Sequence, residues 1–516
     1  MKPLFNSYSF IFVFLPVLTA GFYLIPAVIG VLRGSAVRSV RKWFLIAISL
    51  AFYACFGWRD FLIFAAGILI NGLLGCLISR RAGAKAITAV GVILNIGLLA
   101  FFKYAGYLSF SSGSIAMPLA VSFYTFQQIS FLIDVYRGEI RMEMPGAPRS
   151  DMPDQANQTD QADRAASFSD YLLYITYFPK LLEGPIVRFH EMKSQFDRMG
   201  ETRFDGERFL RGLFLFTLGL AKKVLLADTI AGAVDYGFSV LPRVTWLDAV
   251  VVMFGYTLQL YLDFSGYCDM GAGVSRMIGI DLPENFHLPY KARSIAEFWD
   301  RWHMTLSRFF TKYLYIPLGG NRKGRARTYL NIMIVFLISG IWHGAGWTFL
   351  VWGFMHGALS VVQRALSDSR KERKKNAESA RHPLWDFICT VLTFVYVSAA
   401  WMFFRADSVK QALELLKIAF SKPWLRCSIR LAKSAQLDEV WYALKVLHLD
   451  SWKYSGYICM WLVLAVSAVI AFAPYTFREI SEKHKIRGLT YFFIAILFAW
   501  CVISLGGVST FLYFKF

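Results

Sequence analysis

Long apolar runs separated by short polar loops recur along almost the whole 516-residue chain. A helix needs about 20 predominantly apolar residues to cross a lipid bilayer. Runs that approach this are found at 9–32, 43–58, 61–79, 86–102, 115–135, 211–227, 247–268, 329–345, 347–364, 385–404, 456–475 and 489–509. The expected fold class is therefore all-α, a polytopic membrane protein with about 11–12 transmembrane helices. No stretch between the runs is long enough for a separate soluble core, so residues 1–516 are expected to form one membrane domain. The first run contains Pro16 and Pro26 and is followed by basic residues, which fits a retained span better than a cleaved signal peptide.

Three regions break the pattern. Residues 138–167 are rich in Asp, Gln, Ala and Pro and poor in large apolar side chains, which predicts a flexible cytoplasmic linker. In the stretch 286–327, Phe298, Trp302, Phe309 and Tyr313 recur near helical spacing while Asp300, Arg301 and Arg308 intervene. That predicts an amphipathic helix lying in the membrane interface or re-entering the protein. Residues 405–455 are mostly polar and are expected on the outer face.

Composition supports the membrane reading. Hydrophobic residues make up 56% of the chain and charged residues 17%, against about 25% charged in a soluble domain. The formal charge of +20 could point to nucleic acid, but the basic residues sit in short loops, at Arg33 to Lys42, Arg80 to Lys85 and Arg370 to Lys375. Such clusters mark cytoplasmic loops, so no nucleic-acid partner is expected. With the amino terminus outside, the loops at 33–42, 80–85, 137–167, 365–384 and 476–488 all fall on the cytoplasmic side, which places both termini outside. Seven cysteines are scattered with no CxxC pair, so neither a metal site nor a disulfide framework is indicated.

Ionisable side chains inside apolar segments are costly and mark candidate chemistry. His343, in the run LISGIWHGAGW, is the sharpest case. A neutral imidazole is cheaper to bury than a charge and can exchange a proton near neutral pH, and the adjacent Gly344, Ala345 and Gly346 leave room beside it. The alternative is a histidine that only hydrogen-bonds a neighbouring helix. His303 lies between Trp299, Trp302 and Arg301, where an interface histidine is an equal reading. His356, His287 and His190 have weaker claims. Asp263 needs a Lys or Arg partner or a hydrated path, while Lys222 and Lys223 either pair with carboxylates or extend to an interface. Glu183, Pro185 and Arg188 suit non-helical backbone lining a cavity, or a plain turn. The chain has no GxxxxGK[ST], HExxH or GxSxG pattern, which removes the usual warrants for ATP-driven transport, zinc proteolysis and serine hydrolysis.

Long motifs in order along the chain carry a family resemblance. They are FNSYSFIFVFLP at the start, PLAVSFYTFQQISFLIDVYRG, YFPKLLEGPIVRF, LGLAKKVLLAD, the stretch from Tyr261 to Arg322, SGIWHGAGWTFLVWGFMHG and a closing FLYFKF. The chain resembles the membrane-bound O-acyltransferase superfamily, in its bacterial alginate O-acetylation branch, with the teichoic-acid D-alanylation proteins more distant. The resemblance implies a ring of tilted helices around a thin centre with a tunnel, and catalytic roles for His343 and His303. The family pattern usually has Arg where Asp300 stands, so the charge beside His303 differs here. The resemblance further implies acetyl transfer from acetyl-CoA on the cytoplasmic side to hydroxyls of an exported polysaccharide such as alginate. No metal or bound cofactor is expected, the location is the bacterial inner membrane, and an extracytoplasmic acetyltransferase partner completes the transfer. The competing readings are D-alanyl or other acyl transfer to teichoic acid, peptidoglycan or lipid, and a non-enzymatic transporter, for which the inverted repeats common in that class are lacking.

Overall fold

The structure, a computed structural model, describes residues 2–30, 34–104, 116–143, 165–373, 383–421, 426–452, 454–483, 488–506 and 511–512. The described chain is overwhelmingly helical. It separates into two compact units, Met1–Phe216 with Met270–Pro283, and Thr217–Asp269 with Glu284–Phe516.

The first unit opens with a π-helical turn, Phe10–Phe14, continued by α1 (Leu15–Val28), then α2 (Gly34–Ala54), α3 (Trp58–Ser79), α4 (Ala84–Tyr104) and α5 (Val121–Tyr136). Where apolar helices pack in a membrane, small residues allow close approach and buried amides tie the helices together. Here Asn95 donates to Asn71 Oδ1 (2.6 Å) and Asn71 donates to Gln128 Oε1 (3.0 Å), joining α4, α3 and α5. A Cβ on Gly91 would sit 2.6 Å from Leu132 Cδ1, so α4 and α5 cross closely here and a side chain would have to push the Leu132 methyl aside. The expected linker lies largely outside the described residues, but its flanks β1 (Arg141–Met142) and β2 (Ala165–Ala166) pair in a short parallel ladder.

Next come α6 (Phe168–Thr176), α7 (Phe178–Leu181) and α8 (Phe189–Asp197). Ser167 and Asp170 form a reciprocal capping box that starts α6, and Lys42 pairs with Asp170 at 3.0 Å. Residues 182–188 are non-helical, as both readings of Glu183 and Pro185 require, and largely buried. Gly184 is dictated by the turn, because a Cβ there would meet the Lys180 Cα at 2.3 Å. Lys180 is wholly buried, donates to Gln127 Oε1 and lies 4.5 Å from the Tyr174 ring centroid.

α9 (Gly206–Ala221) and α11 (Trp246–Met277) run through the boundary between the two residue ranges, and α10 (Asp228–Ser239) follows a second π-helical turn, Lys222–Ala227. The second unit continues with α12 (Ile295–Arg301), α13 (Met304–Phe310), a π-helical turn at Thr311–Tyr315, α14 (Arg325–His343), α15 (Trp347–Arg373) and α16 (Pro383–Arg405). The chain then forms α17 (Val409–Ala419), α18 (Ile429–Ser434) and α19 (Asp438–Val446), before α20 (Ser455–Ala471), α21 (Phe477–Lys483) and α22 (Gly488–Ile503).

Among the described residues each of the twelve expected spans overlaps a helix. Five helical stretches are by themselves long and apolar enough to cross a membrane, namely Phe10–Val28, α3, α4, α11 and α16, while α20 and α22 are shorter apolar helices. The others carry charges or are too short to meet that test alone. Helices packed among protein do not need an apolar perimeter, and α2 illustrates this. Its Arg41 is buried, with the guanidinium donating to the carbonyls of Phe22, Met199 and Thr202.

Candidate active site

The hairpin of α14 and α15 is built by glycines. A Cβ on Gly340 would lie 2.4 Å from the Phe349 carbonyl oxygen, and one on Gly353 would lie 2.5 Å from the Phe336 carbonyl oxygen, so the two backbones touch. This interlock fixes His343, the last residue of α14, with Gly344 as its C-cap. The imidazole is 3% exposed. Rings surround it: Trp342 at 4.6 Å, Trp352 at 5.0 Å and Phe404 at 5.0 Å between centroids. Such a setting excludes water and strengthens any electrostatic interaction formed inside it.

His356 lies one turn beyond Trp352 on α15, with 5.0 Å between the two rings. The indole N–H of Trp299 donates to its Nδ1 at 3.3 Å, so in the neutral ring the proton is on Nε2. Both the His356 Nε2 and the Trp352 Nε1 are buried without a hydrogen-bond partner among the described residues. A buried N–H left without an acceptor costs about 1–3 kcal/mol, and these two N–H groups lie on one turn of α15 beside the His343 ring.

His303 occupies a different kind of corner. The expected amphipathic helix is instead two short helices, α12 and α13, broken at Trp302 and His303, with His303 in the left-handed region (φ 43°, ψ 51°). The break has a cause in the side chain of Asn285. Its Oδ1 accepts from the Thr305 N–H (3.2 Å) and the Thr305 hydroxyl (2.9 Å) and faces His303 Nδ1 at 3.1 Å. An oxygen already accepting twice is an acceptor toward the imidazole as well, so Nδ1 carries the proton and Nε2 is the basic nitrogen. His303 packs edge-on to Phe264 at 4.9 Å. A run of rings leads from this corner to His343: Phe286, Trp302, Trp401 and Trp352 follow one another at 4.9, 5.0 and 5.7 Å.

The sequence model described as "MBOAT, membrane-bound O-acyltransferase family" matches residues 102–405, more than half of the chain. The matched region contains His303, His343 and His356. The chain belongs to the membrane-bound O-acyltransferase family. It is 38% identical over 429 residues to the peptidoglycan O-acetyltransferase of Helicobacter pylori, covering 80% of this chain and 79% of that protein. It is 35% identical over 441 residues to the probable alginate O-acetylase AlgI of Azotobacter vinelandii (81% and 78%) and 36% identical over 438 residues to that of Pseudomonas aeruginosa (81% and 75%). It is thus a multi-pass membrane O-acyltransferase.

Within this O-acyltransferase the remaining candidates take structural places. Lys223, 1% exposed, lies 2.6 Å from Asp263 and 2.8 Å from Asp228, and Lys222 lies 2.6 Å from Asp269. Both lysines pair with carboxylates inside the protein and do not extend to an interface. The second Asp263 oxygen accepts from the Leu512 backbone N–H at 2.9 Å. His287 sits 3.3 Å from Glu284 in a half-exposed loop, and His190 is exposed. Among the described residues no three His, Cys, Asp or Glu side chains converge to hold a metal ion. Sequence reading missed Asn285, Trp352 and Phe404. Asn285 stands in an ordinary-looking loop, and the two aromatics are indistinguishable in sequence from the many others that fill apolar helices.

Proposed function

We propose that this O-acyltransferase moves an acetyl group from acetyl-CoA to hydroxyls of an exported glycan, with His343 as general base. The observation that carries the reading is the water-poor ring of aromatics around an imidazole that ends α14. Relatives named as O-acetylating enzymes, two for alginate and one for peptidoglycan, support acetyl as the group and a polysaccharide as the acceptor. Alginate-type polymer is the first candidate acceptor. The 38% identity to the Helicobacter pylori enzyme makes peptidoglycan the second.

The chemistry then runs through this chain's own side chains. His343 takes the proton as the acceptor hydroxyl attacks the thioester carbonyl. The unpaired N–H groups of Trp352 and His356 are suited to receive the negative charge that develops on the carbonyl oxygen. The C–S bond breaks, the thiolate leaves, and His343 returns the proton to it. His303, oriented by Asn285, holds the acceptor or a proton on the same path. The basic loops on the expected cytoplasmic side attract the anionic donor, the membrane is the bacterial inner membrane, and an extracytoplasmic acetyltransferase partner finishes delivery.

The test is purified protein in lipid, together with its extracytoplasmic acetyltransferase partner, given radiolabelled acetyl-CoA with alginate or peptidoglycan, beside a D-alanyl carrier as an alternative donor. Label should pass to glycan with acetyl-CoA, and His343→Ala should abolish transfer while keeping a wild-type elution profile. Full acetylation by His343→Ala removes the residue from catalysis, and label transfer only from the D-alanyl donor replaces acetyl.

A further inference from the structure

Away from the aromatic chamber, the second unit carries an open groove of about 480 Å³ between the start of α16 and the end of α20. Its walls are of two kinds. Phe387, Val391 and Phe394 from α16 and Phe472 from the end of α20 make an apolar side, and Lys291 and Arg293 make a cationic one. Among the described residues Asp386 is the one carboxylate in the lining, against the two cations Lys291 and Arg293. It engages Arg293 at 2.8 Å. Lys291 donates one bond, to the Ala473 carbonyl at 3.2 Å, and an ammonium has three N–H groups to give.

The surroundings decide what fits. α16 is one of the helices long and apolar enough to span a membrane. On it Leu384, Trp385, Phe387 and Leu392 are each about 60% exposed or more, so this side of the helix is turned to lipid. The groove lies at the end of α16 that follows the basic run Arg370 to Lys375, and at the end of α20 that precedes Arg478, Lys483, Lys485 and Arg487. Basic clusters of this kind face the cytoplasmic leaflet. Basic pockets between transmembrane helices on that side suit anionic lipid headgroups.

We propose that this groove is a binding site for one anionic phospholipid, its phosphate held by Lys291 and Arg293 and an acyl chain laid along Phe387, Val391 and Phe394. A soluble anion would gain nothing from the apolar wall, and a zwitterionic lipid would gain less from the cations. Lipid binding here does not rest on the acyl-transfer reading and stands whether or not that reading holds.

Full-length protein in detergent, mixed with dioleoylphosphatidylglycerol or dioleoylphosphatidylcholine and examined by native mass spectrometry, tests it. One phosphatidylglycerol should be retained in preference to phosphatidylcholine. Each cation near a membrane surface is worth about fivefold in affinity, so Lys291→Gln with Arg293→Gln should weaken retention by roughly tenfold or more. Asp386→Asn should strengthen it, since a competing carboxylate is removed. Thr390→Trp, which fills the groove and leaves the charges in place, should abolish it. The Asp386 and Thr390 variants keep the test decisive if the doubly neutralised protein fails to fold. Equal retention of the two lipids, unchanged phosphatidylglycerol retention in the variants, or its displacement by equimolar acetyl-CoA would each overturn the proposal.

Discussion

Asn285 shows how much can rest on one short polar side chain. One oxygen serves the Thr305 N–H, the Thr305 hydroxyl and the His303 ring, and so it sets both the break between α12 and α13 and the tautomer of the imidazole. Asn285→Ala should lower acyl transfer on the order of a hundredfold, the usual cost of misplacing a reacting group by about 1 Å. Asn285→Asp, which keeps the acceptor oxygens, should retain far more activity, and the dependence of kcat on pH should shift in the Asp variant alone. A purely structural role would move both variants equally and leave the pH profile unchanged. The buried Lys223–Asp263 pair is a second single-residue case. Asp263→Ala removes one of the two carboxylates paired with the Lys223 ammonium and the acceptor of the Leu512 N–H, and the loss of one partner of a buried pair typically costs about 3–5 kcal/mol. Thermal unfolding in detergent should show a large drop for that variant, and a much smaller one for Lys223→Met combined with Asp263→Leu.

The decisive elements are the α14–α15 hairpin and the capped start of α6. Backbone contact at Gly340 and Gly353 leaves no room for a methyl group against a carbonyl oxygen. Gly353→Ala should therefore separate the hairpin, destabilise the protein by about 1–3 kcal/mol and reduce transfer by displacing His343. Gly97, in the middle of α4, has open space where a Cβ would go. Gly97→Ala should be neutral or stabilising by up to about 1 kcal/mol, because alanine loses less conformational freedom in a helix. Melting curves of the two variants give shifts of opposite sign. At α6, burial works to raise the Asp170 carboxyl, but the Ser167 hydroxyl and backbone N–H and the Lys42 ammonium outweigh it and hold Asp170 below the usual carboxylate value. The stability it supplies is complete above the unfolded value of about 4 and is lost as pH falls through the lower folded value. Asp170→Asn should flatten that part of the acid unfolding profile.

For the whole molecule, apolar periodicity and the placement of basic loops determine how the chain is threaded through the bilayer. Alkaline phosphatase fused after Lys483 should be inactive, since that loop is cytoplasmic in the expected topology. Fused after Asp450 it should be active. The opposite pattern would invert the topology and with it the side from which the acyl donor approaches.

The sequence by itself determined the helical class, the existence of each apolar helix and the candidacy of His343 and His303, because apolar periodicity, basic loops and an ionisable group inside an apolar run are local signals with direct energetic meaning. It also required that Asp263 find either a cation or a hydrated path, since a carboxylate is not buried alone. Which cation it found was decided by the tertiary structure, which set Lys223 of a π-helical turn beside a helix some forty residues later. The same holds for the corner at His303 and for the rings around His343. Trp352, Phe404 and Asn285 read as ordinary residues until long-range packing brings them against an imidazole, and contacts between distant segments leave no periodic trace in the chain.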